Sequence, residues 1–434
     1  MDRLSRTVAI ATLGCKTNQF ESAAMEERLN AVGFTVVPFA AGASLVIVNS
    51  CTVTAATDSQ SRNLIRKARR LNPDCRVVVT GCYAQVDPQA LRDIPGVAVV
   101  LGNAEKRNFL DFLEEAGEGT RVAVSDISAE TEAVPLPLTA FAERSRAFVQ
   151  IQNGCNAFCS YCIIPYARGR SRSVRADEVV EQIRSLTARG YTEVVLTGIH
   201  IGGYGLDLAP ATTLLELVER IEGETELARL RLGSLEPTEI PDSLIERIAD
   251  SAILCPHFHI PLQAGDDAVL QRMNRHYDTR FFRDLVTTIH RRLPEAAIGL
   301  DLITGFPGES DDEFAHTLQL IEELPVSHLH VFPFSRRPGT PAAAMAGQVH
   351  GAIVKERAAR LRELGERKHR AFAQSFIGRT LEVVVERGAG RGACRGLTRN
   401  YLNVLFPGNA RLAGRRLPVT VDAWRDGALH GTLA

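Results

Sequence analysis

Cys155, Cys159 and Cys162 fall in one tight run, Cys-Asn-Ala-Phe-Cys-Ser-Tyr-Cys. This CxxxCxxC spacing gathers three thiolates around one point on a short loop and supplies no fourth. A closed structural zinc site takes four ligands. Three thiolates suit instead a 4Fe–4S cluster with one iron left open to a substrate or cofactor. A zinc knuckle or a surface redox CxxC is the plainer alternative.

A second set is spread along the chain. Cys15, Cys51 and Cys82 each follow an apolar, strand-like segment, in Leu13-Gly14-Cys15, Val48-Asn49-Ser50-Cys51 and Thr80-Gly81-Cys82. In an open parallel sheet, ligands bind outside the carboxyl ends of the strands. Three such cysteines can therefore converge on one point, and the small residues before them let the backbone crowd around an inorganic core. Buried cysteine is common packing; the repeated strand-end placement is what separates this set from it. Cys75, Cys255 and Cys394 have no partners of this kind and read as structural. Cys255, His257 and His259 would face one way along a strand, a pattern open to a metal, but the stretch PHFHIPLQAG (256–265) reads better as polar lining of a barrel interior. GIHIGGYG (198–205) is too irregular for a dinucleotide fingerprint.

The elements that must position these residues follow from periodicity. Apolar strands at Thr7–Leu13, Ser44–Val48, Arg76–Thr80 and Val97–Leu101 alternate with helices at Gln19–Val32, Asp58–Leu71, Pro88–Asp93 and Lys106–Glu115. That alternation predicts a doubly wound parallel sheet over 1–120. Residues 121–145 read as a linker. Six strand–helix units follow over 146–372, with strands at Ala147–Ile151, Glu193–Thr197, Arg229–Gly233, His257–Pro261, Ile298–Ile303 and His328–Phe332. They predict a partial (β/α)6 barrel whose chemistry collects at the carboxyl ends of its strands, where Cys155–Cys162 falls. The tail over 373–434 is short-stranded and punctuated by Gly, Pro and Asn, which predicts a small all-β barrel.

The chain has 434 residues and is 45% hydrophobic and 23% charged, which suits two or three soluble domains. No signal peptide and no span of ~20 apolar residues is evident, so no membrane is expected and a cytoplasmic location is. In that compartment nine cysteines read as ligands, not as a disulfide framework. The net charge of −1 gives no global nucleic-acid signal. Charge is nonetheless uneven: Phe376–Ala434 carries nine Arg against four Asp or Glu, and Ile353–Ala373 seven Lys or Arg against three Glu. A basic β-module beside a basic helix is a local signal for nucleic acid, or else a solvated face.

The motifs together resemble the radical S-adenosylmethionine (SAM) methylthiotransferases over essentially the whole chain. The matching stretches are LGCKTNQFES (13–22), VNSCTVT (48–54), TGCYAQ (80–85), NGCNAFCSYCIIPYARGRSRS (153–173), LTGIHIGGYG (196–205), PLQAGDD (261–267) and ITGFPGE (303–309). The tail is similar to a TRAM module, mainly at RGLTRNYLNV (395–404). Among three subfamilies of one plan, the wording resembles the one acting on threonylcarbamoyladenosine of tRNA, through KTNQ after Cys15, TVT after Cys51, Tyr83 after Cys82 and IIPYARG after Cys162. The alternatives are isopentenyladenosine tRNA, a ribosomal-protein aspartate, or, in a different class, a non-catalytic iron–sulfur RNA-binding protein.

The resemblance implies two 4Fe–4S clusters and SAM. The cluster on Cys155, Cys159 and Cys162 would bind SAM and cleave it to a 5′-deoxyadenosyl radical, because the target C–H on the adenine ring is not acidic enough for side-chain bases. The cluster on Cys15, Cys51 and Cys82 would carry or donate sulfur, and a second SAM the methyl group. Tyr161, Ser234, Gln263 and Asp301 are candidates for SAM or substrate contact. Gly305 and Gly308 would let the backbone approach the cofactor, and Glu309 would bond a polar group there or cap a helix. The partners implied are the anticodon region of tRNA, an external electron donor and a sulfur source. Arg62, Arg66, Lys67, Arg69 and Arg70, with the basic tail, would hold tRNA phosphates.

Overall fold

The computed structural model describes residues 6–114, 119–133, 136, 138, 145–386 and 392–434. Six parallel strands open the chain: β1 (Thr7–Thr12), β2 (Thr35–Val36), β3 (Leu45–Ser50), β4 (Arg76–Gly81), β5 (Val97–Leu101) and β6 (Arg121–Ala123). They lie in the order β2-β1-β3-β4-β5-β6. All six residues of β3 are buried, as expected of a strand covered by helices on both faces. β2 and β6 escaped the sequence reading, since two or three residues are too short to show a period. β6 falls in the expected linker and extends the sheet by pairing with β5. Within the rest of that linker, Ile127–Ala129 forms a 3-10 turn, and residues 134, 135, 137 and 139–144 lie outside the described residues.

The order reverses at β1, so the crevice between β1 and β3 is the switch point where such sheets bind ligands. Helix α1 (Lys16–Ala31) starts at Cys15, and α2 (Ala55–Leu71) starts at a Thr54–Thr57 capping box just beyond Cys51. A short helix, α3 (Cys82–Val86), begins at Cys82 itself. The expected helix Lys106–Glu115 is instead a 3-10 turn, Glu105–Asn108, followed by a single turn at Asp111–Glu114.

The middle of the chain contributes β7 (Ala147–Gln150), a two-stranded ribbon of β8 (Gln152–Asn153) and β9 (Arg172–Ser173), then β10 (Glu193–Thr197), β11 (Arg229–Arg231), β12 (His257–Gln263), β13 (Ala297–Thr304) and β14 (His328–Pro333). β7, β10 and β11 pair in parallel, as do β12, β13 and β14. Parallel bridges Leu230–Leu254 and Ser234–His259 join the two halves. The result is a six-stranded partial barrel, open between β7 and β14. Its apolar core is continuous with α1, whose Phe20 and Ala24 pack among Ala147, Phe148 and Val149.

The tail closes on itself in the order β15 (Thr380–Val385), β16 (Ala393–Thr398), β17 (Asn403–Pro407), β19 (Ala428–Leu433) and β18 (Arg416–Arg425). Two fully buried barrel arginines dock it. Arg229 reaches Glu382 and the Leu397 carbonyl, and Arg231 the carbonyls of Thr398 and Arg399. Glu193 neutralises both from within, held ionised by Arg231, Arg146 and Arg229 against the effect of burial. Among the described residues, no helix is long and apolar enough to cross a membrane.

Candidate functional site

The loop after β7 turns at Gly154 (φ +77°), where a side chain would collide with the Arg170 backbone. The Cys155 N–H then bonds the Gly169 carbonyl at 3.0 Å, and the Cys162 N–H the Cys159 carbonyl at 2.9 Å. Ser160 ties the loop to the barrel through the carbonyls of Met273 and Arg272. Phe158 is held in the left-handed region at φ +46°, a strained placement of the kind that collects at working sites. Burial, with Cys159 and Cys155 beside it, pushes the Cys162 thiol up to about 12. Arg275 donates to Cys159 Sγ at 3.3 Å and pairs with Glu236. His200 Nδ1 stands 3.5 Å from Cys155 Sγ, with Nε2 2.6 Å from Glu239.

The second set converges at the switch point of the sheet. A Cβ on Gly14 (φ +90°) would come within 2.7 Å of Cys51 Sγ, so only glycine lets Cys15 and Cys51 approach. Burial, then the proximity of Cys82 and Cys15, pushes Cys51 up to about 12. Arg168 donates to Cys82 Sγ at 3.2 Å. Its guanidinium is fully buried and also grips Glu21 and Asn18. Lys106 closes this knot on Glu21. Burial alone would raise Glu21, but Arg168 and Lys106 hold its carboxyl at about 2.

Both sets fit an iron–sulfur cluster by the chemistry of their donors. Cys51 and Cys162, thiols that burial keeps protonated, become thiolates once a metal coordinates them. Each set also has an arginine already donating to one sulfur, the kind of bond that sets a cluster's potential. All nine cysteines are free, so no disulfide competes.

Between the two sets lies a cavity of about 210 Å³. Val53 and Thr54, just after Cys51, form one wall. Tyr161, Cys162, Gln263, Asp301, Phe332 and Ser335 are among those forming the other. The first module is clamped over it by Arg337, which bonds Thr52 and Asp58, and by Ser335, which accepts from the Ala55 N–H. Gln263, which lines the cavity, occupies φ +66° at a bulge of β12.

Of the residues singled out from sequence, Tyr161, Gln263 and Asp301 line the cavity. Ser234, Gly305 and Glu309 do not. Ser234 donates to the His259 carbonyl at an exposed position. Gly305 turns toward Val354, where a Cβ would clash, so its freedom serves packing of the helix Gly351–Gln374. Glu309 is buried and accepts from the Gly305 N–H and from Arg357; it pins the turn. Gly308 lies nearest Arg272 and the Gly347 backbone. His259 joins not Cys255 but Asp301 and His330. Sequence reasoning missed Arg168, Arg275, His200, Glu21 and Glu236, because nothing local to a charged residue tells which sulfur it will reach.

On the basic helix α2, Arg66, Lys67 and Arg70 are exposed. Arg62 is bonded to the Tyr83 hydroxyl, and Arg69 reaches the Cys75 carbonyl. A further cationic group joins three modules. Lys16, next to Cys15, stands 6.0 Å from the ring of Tyr401 in the tail barrel, with Arg231 at 5.0 Å and His257 stacked at 4.4 Å.

Comparison with known proteins agrees with this architecture. Residues 149–321 match the Radical SAM superfamily, and residues 7–102 match the Uncharacterized protein family UPF0004. A threonylcarbamoyladenosine tRNA methylthiotransferase of Bacillus subtilis is 40% identical over 96% of this chain and 93% of its own length. Its counterpart in Aquifex aeolicus is 38% identical over 92% and 96%. A tRNA-2-methylthio-N(6)-dimethylallyladenosine synthase of Desulfitobacterium hafniense is 34% identical over 99% and 98%. In fold, the chain is similar to a radical S-adenosylmethionine methyltransferase, TsrM, from Kitasatospora setae, with a TM-score of 0.54 and 19% identity over 78% of this chain and 77% of that one.

Proposed function

Since the chain belongs to the radical SAM tRNA methylthiotransferases, we propose that it adds a methylthio group to C2 of N6-threonylcarbamoyladenosine beside the anticodon of tRNA. The observation that carries this reading is the single cavity walled on one side by the residues after Cys51 and on the other by Cys162 and its neighbours. A sulfur-bearing group on one set and a radical generated at the other would meet there. The relatives divide by substrate: five at 35–40% identity are named for threonylcarbamoyladenosine, and three at 32–36% for dimethylallyladenosine.

Cys155, Cys159 and Cys162 would hold one 4Fe–4S cluster, and Cys15, Cys51 and Cys82 the other. When bound, the clusters and SAM supply the one-electron chemistry and the sulfur and methyl groups. The chain's own residues prepare the site. Arg275 and Arg168 each place a buried, Glu-neutralised charge on one sulfur. Tyr161 and Gln263 shape the cavity, and the Arg337 bonds to Thr52 and Asp58 hold the first module over it.

The exposed Arg66, Lys67 and Arg70, with the arginines of the tail, would grip the tRNA backbone, and a splayed anticodon-loop base suits extrusion into a cavity of this kind. An external electron donor, a sulfur source and a cytoplasmic setting complete the reading. Reconstituted protein is to be assayed anaerobically with SAM, reductant and anticodon stem-loops bearing either threonylcarbamoyladenosine or isopentenyladenosine. Methylthiolation of the first substrate alone is expected; modification of the second alone would overturn the assignment.

A further inference from the structure

Three adjacent parallel strands bring His259, Asp301 and His330 together at the barrel mouth. Asp301 and His330 are register partners on β13 and β14, and His259 stands on β12 beside them. His259 Nε2 lies 2.9 Å and His330 Nδ1 3.2 Å from the same oxygen, Asp301 Oδ1, and the three donor atoms all lie within 4.8 Å of one another. Ligands about 2.1 Å from a cation and roughly at right angles stand about 3 Å apart, so these two edges fit neighbouring coordination positions. Two imidazoles and one carboxylate on one side form a facial triad, which leaves the other positions open.

We propose that His259, Asp301 and His330 bind a divalent cation of the zinc, manganese or ferrous class, whose open positions face the cavity that Asp301 shares with Cys162. This set is separate from both cysteine sets. The lack of a side chain at Gly299 leaves room for the His328 ring, which a Cβ there would strike.

Resting on the methylthiotransferase reading, the cation has a use. The threonyl arm of threonylcarbamoyladenosine ends in a carboxylate beside a hydroxyl, a pair that chelates hard or borderline cations. An isopentenyl arm has neither donor. The site would therefore seat the polar arm at the cavity and reject the apolar one.

The test uses the full chain with both clusters oxidised and EPR-silent, freed of loose metal and titrated with Mn2+. The free Mn2+ signal reports binding. Wild type is expected to take up one Mn2+ per chain. His330→Ala, at a half-exposed position, and Asp301→Asn should weaken uptake by more than roughly ten-fold, a change that loss of even a supporting partner can reach. Cluster iron shows that each variant is folded. Uptake that is missing in wild type, or equal in the variants, overturns the site. Added threonylcarbamoyladenosine should tighten Mn2+ binding, and isopentenyladenosine should leave it unchanged. Binding that ignores both nucleosides would overturn the chelating role alone. Because Mn2+ uptake is read without turnover, failure here is distinct from failure of the methylthiolation assay.

Discussion

Arg168, from the segment that follows the radical-type cysteine loop, donates its Nε–H to Cys82 Sγ of the other cysteine set at 3.2 Å. Nothing of this side chain is exposed. The guanidinium spans two modules, since Glu21 and Asn18 on α1 take its remaining donors. Truncating one member of a buried pair costs about 3–5 kcal/mol, because the partner charge is left uncompensated. Arg168→Ala is therefore expected to lower stability by roughly that amount and to release iron from the second set first. Urea titration and iron analysis check this. Unchanged stability with full iron would show that the contact is incidental.

Glu21 gives a pH signature. Its folded carboxyl titrates at about 2 against an ordinary value of 4.5. A depressed folded value means that the stabilisation is present above about 4.5 and is lost as the pH falls toward 2. The shift corresponds to on the order of 3 kcal/mol. In cluster-free protein, the stability gap between wild type and Glu21→Gln should be widest near neutral pH and should shrink through that window. A gap independent of pH would refute the charge-based account.

The two cysteine sets should separate by activity. Cys51→Ala is expected to drop iron from about eight to about four per chain, as three-cysteine 4Fe–4S sites predict. It should still cleave SAM to 5′-deoxyadenosine while losing methylthiolation. Cys159→Ala should lose both. Chromatography of the nucleoside products distinguishes the two, and loss of SAM cleavage in Cys51→Ala would show the sets to be interdependent.

Val53 is half exposed yet lines the cavity. Val53→Trp should fill that space without disturbing a packed core. The expected outcome is full iron, intact SAM cleavage without substrate, and methylthiolation reduced by at least roughly ten-fold, the effect of misplacing a reacting group by about an ångström. Normal turnover would place the substrate base elsewhere.

Reversing the charge of Arg66, Lys67 and Arg70 together should weaken tRNA binding and flatten its salt dependence. Each lost phosphate contact removes a little under one unit from the slope of log K against log salt. Filter binding over a range of salt reads the slope directly. A slope equal to that of wild type would free this helix from the interface.

The sequence by itself determined the two cysteine sets, the succession of fold types and nearly every long parallel strand. These are local properties. Spacing within a loop places Cys155, Cys159 and Cys162 together, and a buried parallel strand such as β3 is written as a continuous apolar run. The same locality explains the failures: β6 is too short for a period, and the expected helix at Lys106–Glu115 breaks because Lys106 is drawn inward to Glu21. Only the tertiary structure decided how the modules meet. It chose which sulfurs Arg168 and Arg275 reach, turned Gly305 and Glu309 away from the cavity that Gln263 and Asp301 enter, and gathered His259, Asp301 and His330 from three strands. Such contacts join residues far apart in the chain. Their energy depends on burial and mutual distance, which no spacing along a sequence encodes.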